Sequence, residues 1–133
     1  NNVEIRHGVI LNVSNDGSLE IGDEVFINDY CCLNSQERIT IEKGVQLGQG
    51  IRIYDHDHDY KREDFKYYFK RSEVTIGEKA WIGSNTVILM GSVIGKRSII
   101  GAGTVVKGII QPYNVLYTKC PISYKKIGQK EEE

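Results

Sequence analysis

No stretch of this chain approaches the ~18 apolar residues that a bilayer crossing needs, so no membrane-spanning segment is expected. Net charge is close to absent as well: 17 basic against 18 acidic side chains leave -1. That balance removes any electrostatic case for nucleic acid or an anionic membrane as partner. The three cysteines, Cys31, Cys32 and Cys120, are odd in number and two are adjacent. Such a set suits a reducing compartment better than a disulfide framework, so a cytoplasmic location is expected. Only two prolines occur, which fits strands that keep their N–H donors paired. No signal-peptide pattern opens the chain; Asn1, not Met, stands first, which leaves open what precedes it. Helical periodicity is also missing, apart from a weakly compatible stretch at Lys61 to Ser72.

What is abundant is glycine, 14 of 133 residues, and it recurs in step. From Ile76 an aliphatic residue returns every sixth place, at Ile82, Ile88, Ile94, Ile100 and Val106. Gly follows it at Gly77, Gly83, Gly95 and Gly101, and a small residue sits four places on, at Ala80, Thr86, Ser92, Ser98 and Thr104. Residues six apart do not share a helix face, and strand alternation alone would not return the same Gly. A fixed short period implies a solenoid, each hexad supplying one strand and one corner of a parallel β-helix. Three hexads close one triangular coil of eighteen residues, giving roughly five coils. Upstream the same period runs through Val3, Val9, Ile21, Ile27, Leu33 and Ile39, with inward companions Val13, Leu19, Val25 and Cys31. After Gln36–Glu37 it slips by two, to Ile41, Leu47 and Ile53. His7 falls at an inward position, where a hydrogen-bonded structural role is expected. The expected organisation is one all-β domain at 1–127, broken by an extruded loop at about 55–73 and followed by a disordered acidic tail at 128–133.

The hexads, the run Trp81-Ile82-Gly83-Ser84, the run Ile100-Gly101-Ala102-Gly103-Thr104-Val105-Val106 and the later Cys120-Pro121 resemble the hexapeptide-repeat acyltransferases, and within them the galactoside, maltose and polysaccharide O-acetyltransferase branch. The likeness covers about residues 19–127. It implies a left-handed, single-stranded parallel β-helix, a homotrimer as the active unit, and acetyl-CoA bound as co-substrate in the groove between subunits. No metal is implied. The handedness follows from the resemblance alone, since parallel crossovers are ordinarily right-handed.

The break in the repeat carries the chemistry. Transfer of an acyl group from a thioester to a hydroxyl needs a base for the alcohol proton, and imidazole is the usual one. Two of the three histidines lie in Asp55-His56-Asp57-His58-Asp59, flanked by carboxylates able to fix a tautomer. In the resembled enzymes the catalytic His follows a Tyr by four positions; Tyr54 and His58 fit that spacing, and Trp81 lies 23 residues beyond. His58 is therefore the expected general base and His56 the second candidate. Asp57, Tyr54 and Trp81 are expected at the acceptor, together with Tyr67 from the aromatic, cationic stretch Tyr60–Arg71. Asp59 stands where the family usually has Pro, which points toward its polysaccharide-modifying relatives. A plain acidic turn or a casual metal binder are the other readings of the pentapeptide, though His-x-His alone supplies only two good ligands.

By the same likeness Ser84 offers a backbone donor to the thioester oxyanion and Ala102 lines the CoA groove. Lys107, Lys119 and Lys125 are the cations expected near the CoA phosphates. Ordinary repeat structure explains Ser84 and Ala102 equally well, and a solvated face explains the lysines. No base lies beside Cys31, Cys32 or Cys120 in sequence, so covalent catalysis is not expected. The expected activity is acetyl-CoA-dependent O-acetylation of a sugar hydroxyl in surface-polysaccharide biosynthesis, on a carbohydrate acceptor. N-acetylation of an amino sugar, a γ-type carbonic anhydrase and a non-catalytic scaffold are the alternatives.

Overall fold

The computed structural model describes residues 1–128, so the acidic tail expected at 128–133 lies, from 129 on, outside the described residues. Short strands wind about three parallel sheets that enclose one apolar core. The first face holds six strands, from Glu4–Ile5 through Phe26–Ile27, Gln46–Leu47, Trp81–Ile82 and Ile99–Ile100 to Val115–Leu116. The second face holds five, including Ile10–Val13, Cys32–Ser35, Arg52–Tyr54, Val87–Ile88 and Val105–Val106. The third holds Leu19–Ile21, Ile39–Ile41, Val74–Ile76, Val93–Ile94 and Ile109–Ile110. The result is a parallel β-solenoid of about six turns.

The ladders explain the hexads. Ile27, Leu47, Ile82 and Ile100 pair in register on the first face, and Leu33, Ile53, Ile88 and Val106 on the second. All eight are at most 1% exposed. Burying a side chain of this size contributes about 1.5–3 kcal/mol. The fourth-place small residues close the interior corners: Thr86, Ser92 and Ser98 are fully buried, each donating its hydroxyl to a backbone carbonyl of the next coil. The glycine that follows the aliphatic residue has a different cause. A Cβ on Gly83 would lie 2.5 Å from Ala102 N, and one on Gly95 2.3 Å from Pro112 N. The next coil's backbone passes too close for any side chain.

The repeat length is strict only from Ile76 to Val106; past it Ile94 pairs with Ile110 and Ile100 with Leu116, sixteen on. Ile76 pairs with Ile94, Ile82 with Ile100 and Ile88 with Val106, each eighteen residues on. Ile27 pairs with Leu47, twenty on, and Ile5 with Ile27, twenty-two on. The extra residues sit in the turn Ser14–Gly17 and around Gln36–Glu37, where the slip was expected.

In the first coil Val3, Ile5, Leu11 and Val13 face inward yet stay 39–47% exposed, because no described coil covers that end. His7 is a correction of the expected satisfied inward histidine. It is exposed at a corner of this open coil, and only its backbone is engaged, by Asp29 Oδ1 at 3.1 Å and Tyr30 N at 2.8 Å. The helix-compatible stretch gives a single 3-10 turn, Phe65–Tyr67. Beyond it Phe69–Arg71 forms a strand antiparallel to His56–His58, which claims the backbone groups a helix would have used. No helix among the described residues is long and apolar enough to cross a membrane.

Candidate active site

Strand Arg52–Tyr54 ends where the second face should turn into the third, and the chain instead leaves the prism as the hairpin just described. Asp55 is the pivot. It is fully buried and accepts hydrogen bonds from Ser35 Oγ (2.8 Å), Gln36 N (2.8 Å), Glu37 N (2.9 Å) and His56 Nδ1 (2.9 Å). Burial by itself would raise the carboxyl pKa; the donors from Gln36, His56, Ser35 and Glu37 outweigh it and hold the group below its ordinary range. An ionised Asp55 thus ties the root of the hairpin to the preceding coil.

His56 and His58, two apart on one strand, point to the same side. Their Nδ1 atoms are held by different partners. His58 Nδ1 lies 3.0 Å from the carbonyl oxygen of Phe65, which can only accept, so Nδ1 carries the proton and Nε2 keeps its lone pair. The His58 ring lies against Phe69, 4.7 Å between centroids, with the edge of Phe65 at 5.8 Å. His56 Nδ1 faces the ionised Asp55, and its side chain is 16% exposed.

Both imidazoles open onto a cleft of about 370 Å³. Tyr54, Asp57 and Phe69 line it from the hairpin and its root, Leu89 and Met90 from the corner one coil on, and Lys107 from the corner after that. The walls are mainly apolar, the lone cation stands among these lining residues at Lys107, and a neutral imidazole with a free Nε2 can accept a proton there. On the other side of His56 lies a smaller pocket of about 150 Å³, lined by Asn12, Ser14, Asn34, Ser35, Gln36 and His56.

The structure therefore brings together Tyr54, His56, Asp57, His58 and Lys107. It does not bring in the others within one chain. Trp81 stands outward on the first face, 56% exposed. Ser84 and Ala102 sit at the corner between the first and second faces, stacked across Gly83. Tyr67 is 73% exposed on the hairpin, with Lys66 Nζ 5.7 Å from its ring centroid. Lys119 and Lys125 lie exposed in the strandless segment 117–128. Cys31 is buried, its thiol donating to Gly48 O at 3.1 Å, and burial pushes its pKa up, which disfavours the thiolate. Among the described residues no three His, Cys, Asp or Glu side chains converge as a metal site.

Sequence reasoning missed the apolar wall and the polar pocket. A signal for the wall existed. Ile88 is followed by Leu89-Met90, not by Gly as after Ile82, Ile94 and Ile100, and Met90 is the chain's single methionine. Asn12 and Asn34 gave no signal, since their pairing depends on a coil of twenty-two residues.

Residues 73–108 match the bacterial transferase hexapeptide family (six repeats). The chain is 31% identical over 124 residues to the Escherichia coli (strain K12) protein named "Putative lipopolysaccharide biosynthesis O-acetyl transferase WbbJ", covering 86% of this chain and 63% of that one. It thus spans less than two thirds of the length of this relative. A maltose O-acetyltransferase from Clostridium difficile 630 superposes with TM-score 0.76 at 29% identity, over 96% of this chain and 67% of that chain. A hexapeptide-repeat acetyltransferase from Vibrio cholerae O1 biovar eltor, complexed with acetyl coenzyme A, superposes with TM-score 0.74 at 27% identity, over 84% and 66% of the two chains.

Proposed function

Because the chain belongs to the hexapeptide-repeat acetyltransferase family, we propose that it transfers the acetyl group of acetyl-CoA to a sugar hydroxyl, in the assembly of a surface polysaccharide, with His58 as general base. The observation that carries this reading is the His58 ring itself. A backbone carbonyl fixes its tautomer and leaves Nε2 free, Phe69 packs against its ring, and the side chain lines an apolar cleft. In the reaction Nε2 takes the hydroxyl proton as the sugar oxygen attacks the thioester carbonyl. The tetrahedral intermediate then collapses, the C–S bond breaks, and the imidazolium returns the proton to the departing thiolate of CoA. The Phe65 carbonyl steadies the imidazolium, because Nδ1–H stays bonded to it throughout.

His56 plays a different part in this reading. Bound to the buried Asp55 carboxylate, it braces the first strand of the hairpin and forms the wall between the cleft and the polar pocket. Lys107 at the cleft offers a charge to a CoA phosphate, and Lys119 and Lys125 further cations along the tail. Trp81, Ser84 and Ala102 would serve the site of the adjacent subunit in a homotrimer, with the backbone at Ser84 facing the oxyanion. The polysaccharide role is supported by the name of the Escherichia coli relative.

The test is release of CoA thiol from acetyl-CoA in the presence of saccharide acceptors. His58→Ala should lower kcat by at least about a hundredfold, the ordinary contribution of a general base. A His58→Ala variant that keeps the wild-type rate would overturn the assignment.

A further inference from the structure

Three side chains stack in register along the edge of the second face: Asn12 pairs with Asn34, and Asn34 with Tyr54. Two coil steps of ~4.8 Å carry this ladder roughly 10 Å from the root of the hairpin toward the first coil. Asn12 Nδ2 donates to Asn34 Oδ1 at 2.9 Å, and Asn34 Nδ2 reaches Cys32 Sγ at 3.3 Å. A carboxamide offers two N–H groups and two lone pairs, so these bonds use only part of what the pair can make. Beside the ladder lies the 150 Å³ pocket, and Gln36 Oε1 on its lining is shielded from solvent without a hydrogen-bond donor.

The charges around this pocket are already committed. His56 Nδ1 is engaged by Asp55, and Arg71, which is not on the lining, lies 3.7 Å from Asp16 and 3.5 Å from the Gln36 carbonyl. Ser35 Oγ is engaged by Asp55 as well, so what remains is the amides of Asn12, Asn34 and Gln36 and the hydroxyl of Ser14, groups that recognise hydroxyls and do not select for charge. His56 lines this pocket and the cleft alike, so the two adjoin on either side of its ring. One is apolar and holds the base; the other is polar and neutral.

We infer that the Asn12–Asn34–Gln36 pocket is a second sugar subsite, and that the acceptor is a neutral saccharide of at least two residues. The reacting residue sits at His58 and its neighbour lies along the amide ladder. This inference rests on the proposed transfer to a sugar hydroxyl.

The experiment compares kcat/KM for galactose and glucose with that for the neutral disaccharides lactose and cellobiose, by thiol release from acetyl-CoA. The wild type should favour the disaccharides at least tenfold, and Asn12→Leu/Asn34→Leu should bring the ratio near one. Saturation-transfer NMR with lactose gives a readout independent of turnover, and its signal should be lost in the double variant. Asn12→Ala, in the exposed first coil, serves if the double variant does not fold. Equal use of mono- and disaccharides, a ratio that survives substitution, or preference for a uronate-containing disaccharide would each overturn the subsite while leaving the transferase reading intact. Silence toward every saccharide, with acetyl-CoA still bound, would instead overturn the transfer reading and the subsite with it.

Discussion

His56 and His58 are chemically identical and two residues apart, yet what holds their Nδ1 atoms separates them. A neutral carbonyl at 3.0 Å fixes the His58 tautomer; a buried, ionised carboxylate at 2.9 Å holds His56. Replacing His56 by Gln keeps a donor toward Asp55, so H56Q should retain most of the thermal stability and a measurable kcat. His58→Gln should lose activity as fully as His58→Ala, because no amide acts as a base. Asp55 gives the pH prediction. Its folded pKa lies below the ordinary aspartate value, so its stabilising contribution is fully present above about pH 4 and is lost as pH falls through the folded value. Asp55→Asn should cost about 1–3 kcal/mol at pH 7, as buried donors lose their charged acceptor. The gap to wild type should narrow below about pH 4. Urea unfolding at a series of pH values measures it, and a gap that stays constant down to pH 3 would count against the assignment.

At the scale of the element, two kinds of glycine share one letter. Gly83 is required by the backbone of the next coil, 2.5 Å from where its Cβ would stand, whereas Gly103 has a φ of +71° and open space around it. Gly83→Ala must push two coils apart and should cost about 1–3 kcal/mol. Gly103→Asn should cost less, since Asn tolerates the left-handed region. Thermal midpoints of the two variants settle the order. This contrast also shows what was legible. Ile82, Ile88, Ile94 and their glycines recur every six residues because each repeats the same environment, so periodicity exposes them. The break at Asp55 is legible for the same reason, as the place where recurrence fails. The cleft is not periodic. Leu89 and Lys107 meet the histidines only because a hairpin leaves one corner and later coils return beneath it, a proximity that no local pattern encodes. The first coil misled for a related reason: its twenty-two residues shift the register, so His7, inward in a count by six, stacks on Asp29 at a corner.

For the whole molecule, the decisive fact is that one chain holds the histidines at one corner of the prism and Trp81, Ser84 and Ala102 elsewhere, on the first face and the corner beyond it. A site that uses both sets must draw them from two copies, with one copy's corner laid against the next. A cyclic assembly does this with every interface equivalent. The consequence is complementation. In the proposed arrangement His58→Ala would lack the base but keep an intact Ala102 corner; Ala102→Glu would block the CoA groove but keep its base, and Ala102 is exposed enough for the larger side chain to leave the coil folded. Each variant alone should be inactive. Mixed in equal amounts, dissociated and reassembled at random, they should recover about a quarter of wild-type activity, because one interface in four pairs an intact base with an intact groove. If the whole site lay within one chain, no mixture would exceed its components. Zero recovery from reassembled mixed oligomers would therefore sink the shared-site arrangement and leave His58 to act within its own subunit.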